Sequence, residues 1–152
     1  MTRVCSGEEV SKLVKGLVHA KTQIQEHALD LTLRSVFKLT GRGSLDFGGS
    51  EYCPCEGDKI LPIKRQAGDK HGWWELNQGD YLMEYNESFL LPEGTVGILQ
   101  PHHRVVMAGA IHNNHILIYP DVLPAALLHV GSMGINIKQN ARVSQLVVLK
   151  VD

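Results

Sequence analysis

The chain has 152 residues, which is the usual size of one domain and is enough to bury a sizeable core. Its formal net charge is −1 and 43% of its residues are hydrophobic, so its bulk charge favours neither nucleic acid nor a membrane surface as a partner. The apolar runs are too short to span a bilayer, and the N-terminus lacks an apolar core of signal-peptide length. We therefore expect a single domain over residues 1–152, in the cytoplasm.

The first predicted element is a short amphipathic helix over about residues 7–19. Ser6 and Glu9 fit a capping box, in which the Ser6 hydroxyl caps the amide of Glu9 and the Glu9 carboxylate reaches back. The apolar residues that follow recur at helical spacing: Val10, Leu13, Val14, Leu17 and Val18. This spacing predicts that one side of the helix packs on the core.

From Leu29 onward the sequence takes the period of a strand. Apolar and polar residues alternate as far as Leu33, and the pattern wavers after Arg34, which predicts a bulge or a bend. Residues 40–49 are rich in glycine and predict turns around a short strand. Residues 50–72 predict a polar excursion made of loops or a loose hairpin.

Short apolar runs separated by turn residues then follow one another at roughly even intervals from residue 81 to residue 151. This arrangement is typical of an all-β sandwich, barrel or jelly roll. Cys5, Cys53 and Cys55 are too few for a disulfide framework, and Cys53-Pro54-Cys55 lacks the two-residue spacer of zinc and redox motifs. We expect reduced thiols without a metal.

Four segments resemble motifs of the dUTPase and dCTP deaminase superfamily, and they occur in the family's order. They are residues 25–33 (QEHALDLTL), 76–92 (LNQGDYLMEYNESFLLP), 97–110 (GILQP to GA) and 135–146 (INIKQNARVSQL). The resemblance implies a distorted jelly-roll or β-clip barrel with one short N-terminal helix. It also implies a homotrimer with nucleotide sites between subunits, hydrolysis of dUTP or deamination of dCTP, and Mg²⁺ on the triphosphate.

The family's phosphate-binding Arg-Ser-Ser motif is altered in this chain. Its position reads His102-His103-Arg104, so both hydroxyls are missing and the guanidinium comes two places late. Imidazole and guanidinium groups can both bind phosphate, which makes these three residues candidates for that role. The alternative is a polar turn or a cluster at a subunit interface.

The family's water-activating segment is also altered. Tyr119 takes the position of the acid, Asp121 comes two places later, and Pro124 replaces a glycine. His129 takes the position of the deaminase glutamate. Asp121 is the remaining candidate for a catalytic base, although an exposed turn aspartate is equally common in proteins without catalysis. Ordinary dUTPase or dCTP deaminase turnover is therefore expected to be weak or absent.

Two positions of the family pattern are retained. Asp30 matches an aspartate associated with the metal-water shell, and Gln145 matches a glutamine that contacts phosphate. Both residues could instead stabilise the strands on which they lie.

Five histidines within 28 residues raise one further hypothesis, a transition-metal site. They are His102, His103, His112, His115 and His129. The sequence thus leaves three functions open: a protein that binds a deoxypyrimidine nucleotide, a non-catalytic structural trimer, and a metal-dependent hydrolase.

Overall fold

Strands are the main secondary structure of the chain, as the sequence predicts. The computed structural model describes all 152 residues. It has eleven strands and three short helices. In chain order they are β1 (Arg3–Val4), α1 (Gly7–Ser11), α2 (Ala20–Gln23), β2 (Leu29–Leu39), β3 (Gly57–Ile60), β4 (Trp73–Leu76), β5 (Gly79–Tyr85), β6 (Thr95–Pro101), α3 (His103–Ala108), β7 (Ala110–His112), β8 (His115–Ile118), β9 (Ala126–Val130), β10 (Ile135–Lys138) and β11 (Arg142–Lys150).

Nine strands form one antiparallel sheet in the order β7-β9-β5-β2-β11-β6-β8, with β1 on β11 and β3 on β2. The long strand β2 connects the two halves of this sheet, because its first half pairs with β11 and its second half pairs with β5. The register against β5 shifts between Leu33 and Ser35, which is the predicted irregularity. Strands β4 and β10 form a separate two-stranded ribbon.

The alternation in β2 places two kinds of side chain on opposite faces of the sheet. Leu29, Leu31 and Leu33 are fully buried and belong to a core cluster of 26 apolar residues. Asp30 and Thr32 lie on the other face and are nevertheless buried, because residues of the α2 segment contact that face. The fold therefore buries a polar layer as well as an apolar core.

The N-terminal helix is shorter than predicted. The capping box is present, with the Glu9 amide donating to Ser6 Oγ over 3.2 Å and the Ser6 amide donating to Glu9 Oε1 over 3.1 Å. However, α1 ends at Ser11, and residues 12–19 do not continue it. Lys15 instead pairs with Ser88 as an isolated bridge, and Gly16 has φ of 87°, which is incompatible with a helix. Helix α2 follows as a separate single turn.

Gly7 sets how closely α1 approaches the segment before β2. A Cβ atom at residue 7 would lie 1.8 Å from the carbonyl oxygen of Gln25 and 2.7 Å from that of Ala28. The Gly7 amide also donates to the carbonyl oxygen of Glu26 over 3.0 Å. The helix therefore rests directly on the backbone of residues 25–28.

The excursion of residues 50–72 contains β3, which pairs with β2, and loops joined by single bridges. One bridge links Ser44 to Cys53 and another links Ile63 to Trp73. The three cysteines are free, as expected. None of the three helices has the length and apolar character needed to cross a membrane.

The sheet of β8, β6 and β11 carries an apolar outer face. Cross-strand partners point to the same side of a sheet, and here Ile116, Ile98 and Val147 lie in one row while Ile118, Val96 and Leu149 lie in the next. Ile116 and Ile118 are 65% and 53% exposed, and the other four side chains are partly exposed. We call these six residues the apolar face.

Candidate functional site

The retained aspartate lies at the middle of a buried hydrogen-bonded cluster. Asp30 Oδ2 accepts from Arg142 Nη1 over 3.0 Å and from Gln25 Nε2 over 3.2 Å, and Asp30 Oδ1 accepts from Gln145 Nε2 over 3.2 Å. Asp30 itself is fully buried. We call these four residues the Asp30 centre. The structure thus brings together the two retained positions, Asp30 and Gln145.

The Asp30 centre does not fit a Mg²⁺ ion held by the protein. Mg²⁺ needs oxygen ligands and usually keeps several waters. Both oxygens of Asp30 are instead occupied by N–H donors, and the side chain is 1% exposed. No group of three or more histidine, cysteine, aspartate or glutamate side chains is placed to hold a metal anywhere in the chain. The five predicted histidines therefore do not converge on a metal site within one chain.

His102 caps helix α3. Its Nδ1 accepts the amide of Arg104 over 3.2 Å, so the proton resides on Nε2, which lies 3.7 Å from Asp30 Oδ2. Burial lowers the pKa of His102, and the nearby Asp30 carboxylate opposes that shift. The exposed His103 ring stacks on His102 with 4.6 Å between centroids. Of the three residues in the altered phosphate motif, only His103 and Arg104 are exposed to solvent.

Arg104 borders a cavity of about 390 Å³ whose only charged lining residues are Arg104, Lys138 and Arg142. Arg104 and Lys138 form no salt bridge, whereas Arg142 shares the Asp30 carboxylate. No acidic residue lines this cavity. We call it the basic groove, and the residues that give it its character are Trp73, Arg104, Asn136, Lys138, Asn140 and Arg142.

The turn after β8 holds the candidate base. Asp121 is exposed, and its Oδ2 accepts the amide of Ile118 over 3.2 Å while its own amide donates to the Ile118 carbonyl over 2.8 Å. This carboxylate therefore stabilises its own turn and makes no hydrogen bond to the Asp30 centre. His129, at the position of the deaminase glutamate, forms an exposed pair with Asp80 in which Nδ1 and Oδ1 are 2.6 Å apart.

A larger cavity of about 690 Å³ lies beside the same turn. Val122, Leu123 and Pro124 form one wall, and Leu13 and Phe89 contribute further apolar surface. Its charged lining consists of Lys15, Glu87 and the pair Arg34–Glu84, which are joined by a 3.2 Å ion pair.

Two further buried polar groups have roles that the sequence did not reveal. Glu87 accepts from the Thr32 amide over 2.8 Å, from Thr32 Oγ1 over 2.7 Å and from Gln23 Nε2 over 2.9 Å. The Glu87 carboxylate therefore links β2 to the turn after β5 by hydrogen bonds. Glu87 lies inside the 76–92 motif, which marks it as a residue of interest, but the motif does not indicate its hydrogen-bond partners.

The second group is a chain of hydrogen bonds between three strands. Tyr85 OH lies 2.6 Å from Ser144 Oγ, which lies 2.8 Å from His112 Nε2, and His112 Nδ1 lies 2.8 Å from the carbonyl oxygen of Asn113. Because a carbonyl only accepts, Nδ1 carries the proton and Nε2 accepts from Ser144. Burial lowers the pKa of His112 and raises that of Tyr85 to about 12. We call this chain the Tyr85 relay.

Comparison with known proteins supports the resemblance found in the motifs. No family model matches the chain. A probable deoxyuridine 5′-triphosphate nucleotidohydrolase of Methanosarcina mazei is 29% identical over 150 aligned positions, covering 93% of this chain and 84% of the relative. A protein of the same description from Archaeoglobus fulgidus is 29% identical, covering 97% and 88%.

A solved structure agrees at the level of the fold. The 2′-deoxycytidine 5′-triphosphate deaminase of Agrobacterium tumefaciens superposes with a TM-score of 0.70 at 15% identity. The match covers 98% of this chain and 48% of the deaminase chain, so this chain spans about half of that protein. The curled antiparallel sheet is therefore a jelly roll of the β-clip type, as predicted. The chain is thus similar in sequence to probable dUTP nucleotidohydrolases over most of its length, and it shares the fold of a dCTP deaminase.

Proposed function

We propose that this chain binds a deoxypyrimidine nucleotide and places its phosphates against Arg104 at the basic groove. The observation that carries this proposal is that Arg104 stands next to the family's phosphate position, exposed and without an acidic partner. An exposed guanidinium without a carboxylate partner is free to donate charge-assisted hydrogen bonds to phosphate. The relatives, which are named as dUTP nucleotidohydrolases, supply the nucleotide class.

We expect ordinary hydrolysis or deamination to be weak or absent. Water activation needs a base close to the substrate. The Asp121 carboxylate accepts the amide of its own turn, His129 is paired with Asp80, and neither residue lines the basic groove. The serine hydroxyls of the phosphate motif are replaced as well. Loss of a general base or of a charge-stabilising donor typically lowers the rate by factors of about 10² to 10⁴ each.

Any Mg²⁺ is expected to enter with the nucleotide. The Asp30 carboxylate is 1% exposed and already accepts three N–H donors, so we expect phosphate oxygens and water rather than Asp30 to hold the ion. Gln145 presents a partly exposed side chain, and one of its two amide N–H groups already donates to Asp30. We therefore expect Gln145 to contribute less to binding than Arg104.

The apolar face supports a homotrimer. Six aliphatic side chains on three adjacent strands, two exposed and four partly exposed, form a contiguous patch, and patches of this kind mark surfaces that another protein covers. The partner that we propose is a second copy of this chain, because the family's barrels assemble by threefold packing. The alternative of a non-catalytic structural trimer uses the same surface.

A thermal-shift panel of dUTP, dCTP, dTTP and dUMP, with and without Mg²⁺, tests the nucleotide proposal. A ligand that binds the native state raises Tm, and its Kd then follows by titration. Arg104→Ala should weaken binding about ten- to a hundredfold, and Gln145→Ala by about fivefold. Arg42→Ala, which removes an exposed arginine outside the groove, is the matched control.

The outcomes separate the three functions. No binding by the wild type would favour the structural trimer, and unchanged affinity in Arg104→Ala would place the phosphate elsewhere. Turnover of about 1 s⁻¹ or more would refute the proposed inactivity and indicate Asp121 as the base. Light scattering tests the assembly, and Ile116→Lys should convert a trimer to monomers without changing the fold.

A further inference from the structure

Two cationic side chains lie near the ring of Trp73, which lines the basic groove. Arg65 Cζ lies 3.8 Å from the centroid of the Trp73 ring, and Lys138 Nζ lies 5.8 Å from it. We propose that Arg65 and Lys138, anchored by Trp73, form a condensed-phosphate subsite that continues the groove beyond Arg104. This inference rests on the proposed function, and it assigns phosphate binding to residues that the resemblance gives no role.

The backbone fixes both cations relative to the ring. Trp73 on β4 is the direct cross-strand partner of Lys138 on β10, so the two side chains share one face of the ribbon. Arg65 is brought there by the bridge between Ile63 and Trp73, whose two N–H···O bonds are each 2.8 Å long. The polar excursion of residues 50–72 therefore places Arg65 on the Trp73 ring.

The charges around the groove are unbalanced. Arg65, Arg104 and Lys138 have no salt-bridge partner, although the chain as a whole has a formal charge of −1. One acid, Glu75, lies on the same face of the ribbon opposite Asn136, and it forms no salt bridge. A cleft lined by charges of one sign concentrates ligands of the opposite sign. Three cations without a salt bridge, two at the Trp73 ring and one lining the same groove, favour a ligand that carries several negative charges.

The geometry favours a small polyanion over a nucleic acid strand. A cavity of about 390 Å³ has the size of a small-molecule site. Single-stranded nucleic acids bind by stacking successive bases on several open aromatic rings. This groove has one such ring, and Arg65 covers it. The chemistry that fits is a chain of linked phosphates, from a nucleotide or from free tripolyphosphate.

Calorimetric titration of the full chain with orthophosphate, pyrophosphate and tripolyphosphate tests the subsite. Affinity should rise with the number of phosphates and fall as salt rises from about 50 to 200 mM. Lys138→Ala and Arg65→Ala should each weaken tripolyphosphate binding about tenfold and change orthophosphate binding little. Glu75→Gln should tighten tripolyphosphate binding about two- to threefold, which a merely structural role for these residues would not produce.

Lys12→Ala and Arg42→Ala are the matched controls, because both residues are exposed and neither lines the groove. Equal affinity for tripolyphosphate in wild type, Lys138→Ala and Arg65→Ala would overturn the subsite. Binding of a ten-residue oligothymidylate without binding of tripolyphosphate would overturn it too, in favour of a nucleic-acid surface.

The failure of this inference is distinguishable from failure of the proposed function. If dUTP or dCTP binds the two alanine variants as tightly as the wild type, the subsite is wrong and the nucleotide proposal stands. If tripolyphosphate binding depends on Lys138 and Arg65 but no deoxypyrimidine nucleotide binds, the subsite stands and the nucleotide proposal is wrong.

Discussion

The Asp30 centre and the turn after β8 are built in opposite ways, although the family resemblance places functional residues in both. The Asp30 carboxylate is buried and accepts three N–H donors, and its residues match the family pattern. The turn is exposed and presents Tyr119, Asp121 and Val122 to solvent, and its residues depart from the pattern.

The two regions differ in how much folding free energy a substitution is expected to cost. Replacing a buried carboxylate that accepts three donors removes three hydrogen bonds, two of which join β2 to β11. An exposed turn can exchange its side chains at little cost in folding free energy. Asp30 and Gln145 therefore have contacts that stabilise the fold, and their roles in metal and phosphate binding stay predictions.

The largest expected effect is on the Asp30 centre. Asp30→Ala removes the acceptor for Arg142, Gln25 and Gln145 and leaves a partly buried guanidinium without a partner. We expect the free energy of unfolding to fall by about 3–5 kcal/mol, measured by urea denaturation. Asp30→Asn, which keeps the shape, should cost less. A loss below about 1 kcal/mol would show that the centre does not stabilise the fold.

The second largest loss in the free energy of unfolding is expected at the Tyr85 relay. Ser144→Ala removes the hydroxyl between Tyr85 and His112 and leaves both buried groups without that partner. We expect a loss of about 2–3 kcal/mol in the same denaturation experiment. Ser144→Thr keeps the hydroxyl and is the control. If both variants lose the same free energy, packing rather than the hydrogen bonds explains the effect.

The pH dependence of stability should reveal the buried histidines. Burial lowers the pKa of His112 and of His102 in the folded state below the value of about 6.5 expected for the unfolded chain. The unfolded state then binds more protons below about pH 6.5, so the free energy of unfolding falls as pH decreases through that range. His112→Gln should reduce this slope in denaturation curves measured from pH 7.5 to 5. An unchanged slope would show that His112 does not titrate in this way.

The smallest expected effect is on the turn. Asp121→Ala removes one hydrogen bond at an exposed site, so the free energy of unfolding should change by about 0.5 kcal/mol or less. Measured beside Asp30→Ala, this variant sets the scale of the comparison. A loss as large as that of Asp30→Ala would mean that the turn is structural too.

The sequence predicted the parts of the fold that depend on local pattern. The capping box at Ser6, the strand from Leu29 and the irregularity after Arg34 all follow from residue spacing, and the structure has each of them. The helix over residues 7–19 was predicted too long, because apolar spacing does not show that Lys15 pairs with Ser88.

The site was less predictable, since its contacts join distant segments. The sequence identified Asp30 and Gln145 but not Arg142 as a partner, which lies 112 residues from Asp30. The sequence did not indicate that Arg65 and Lys138 lie near Trp73, because a strand pairing and a loop bridge bring them together. The roles of Glu87 and of the Tyr85 relay were hidden for the same reason.

The contact of Gly7 with residues 25–28 limits which sequences this fold can tolerate. Any side chain at residue 7 would have its Cβ within 1.8 Å of a backbone oxygen, and backbone cannot rotate away as a side chain can. The displaced segment carries Gln25, so the damage would reach the Asp30 centre. A saturation library selected for folding should therefore return glycine alone at residue 7. Gly48 should accept most amino acids, because a Cβ atom there would have no other atom within 4 Å.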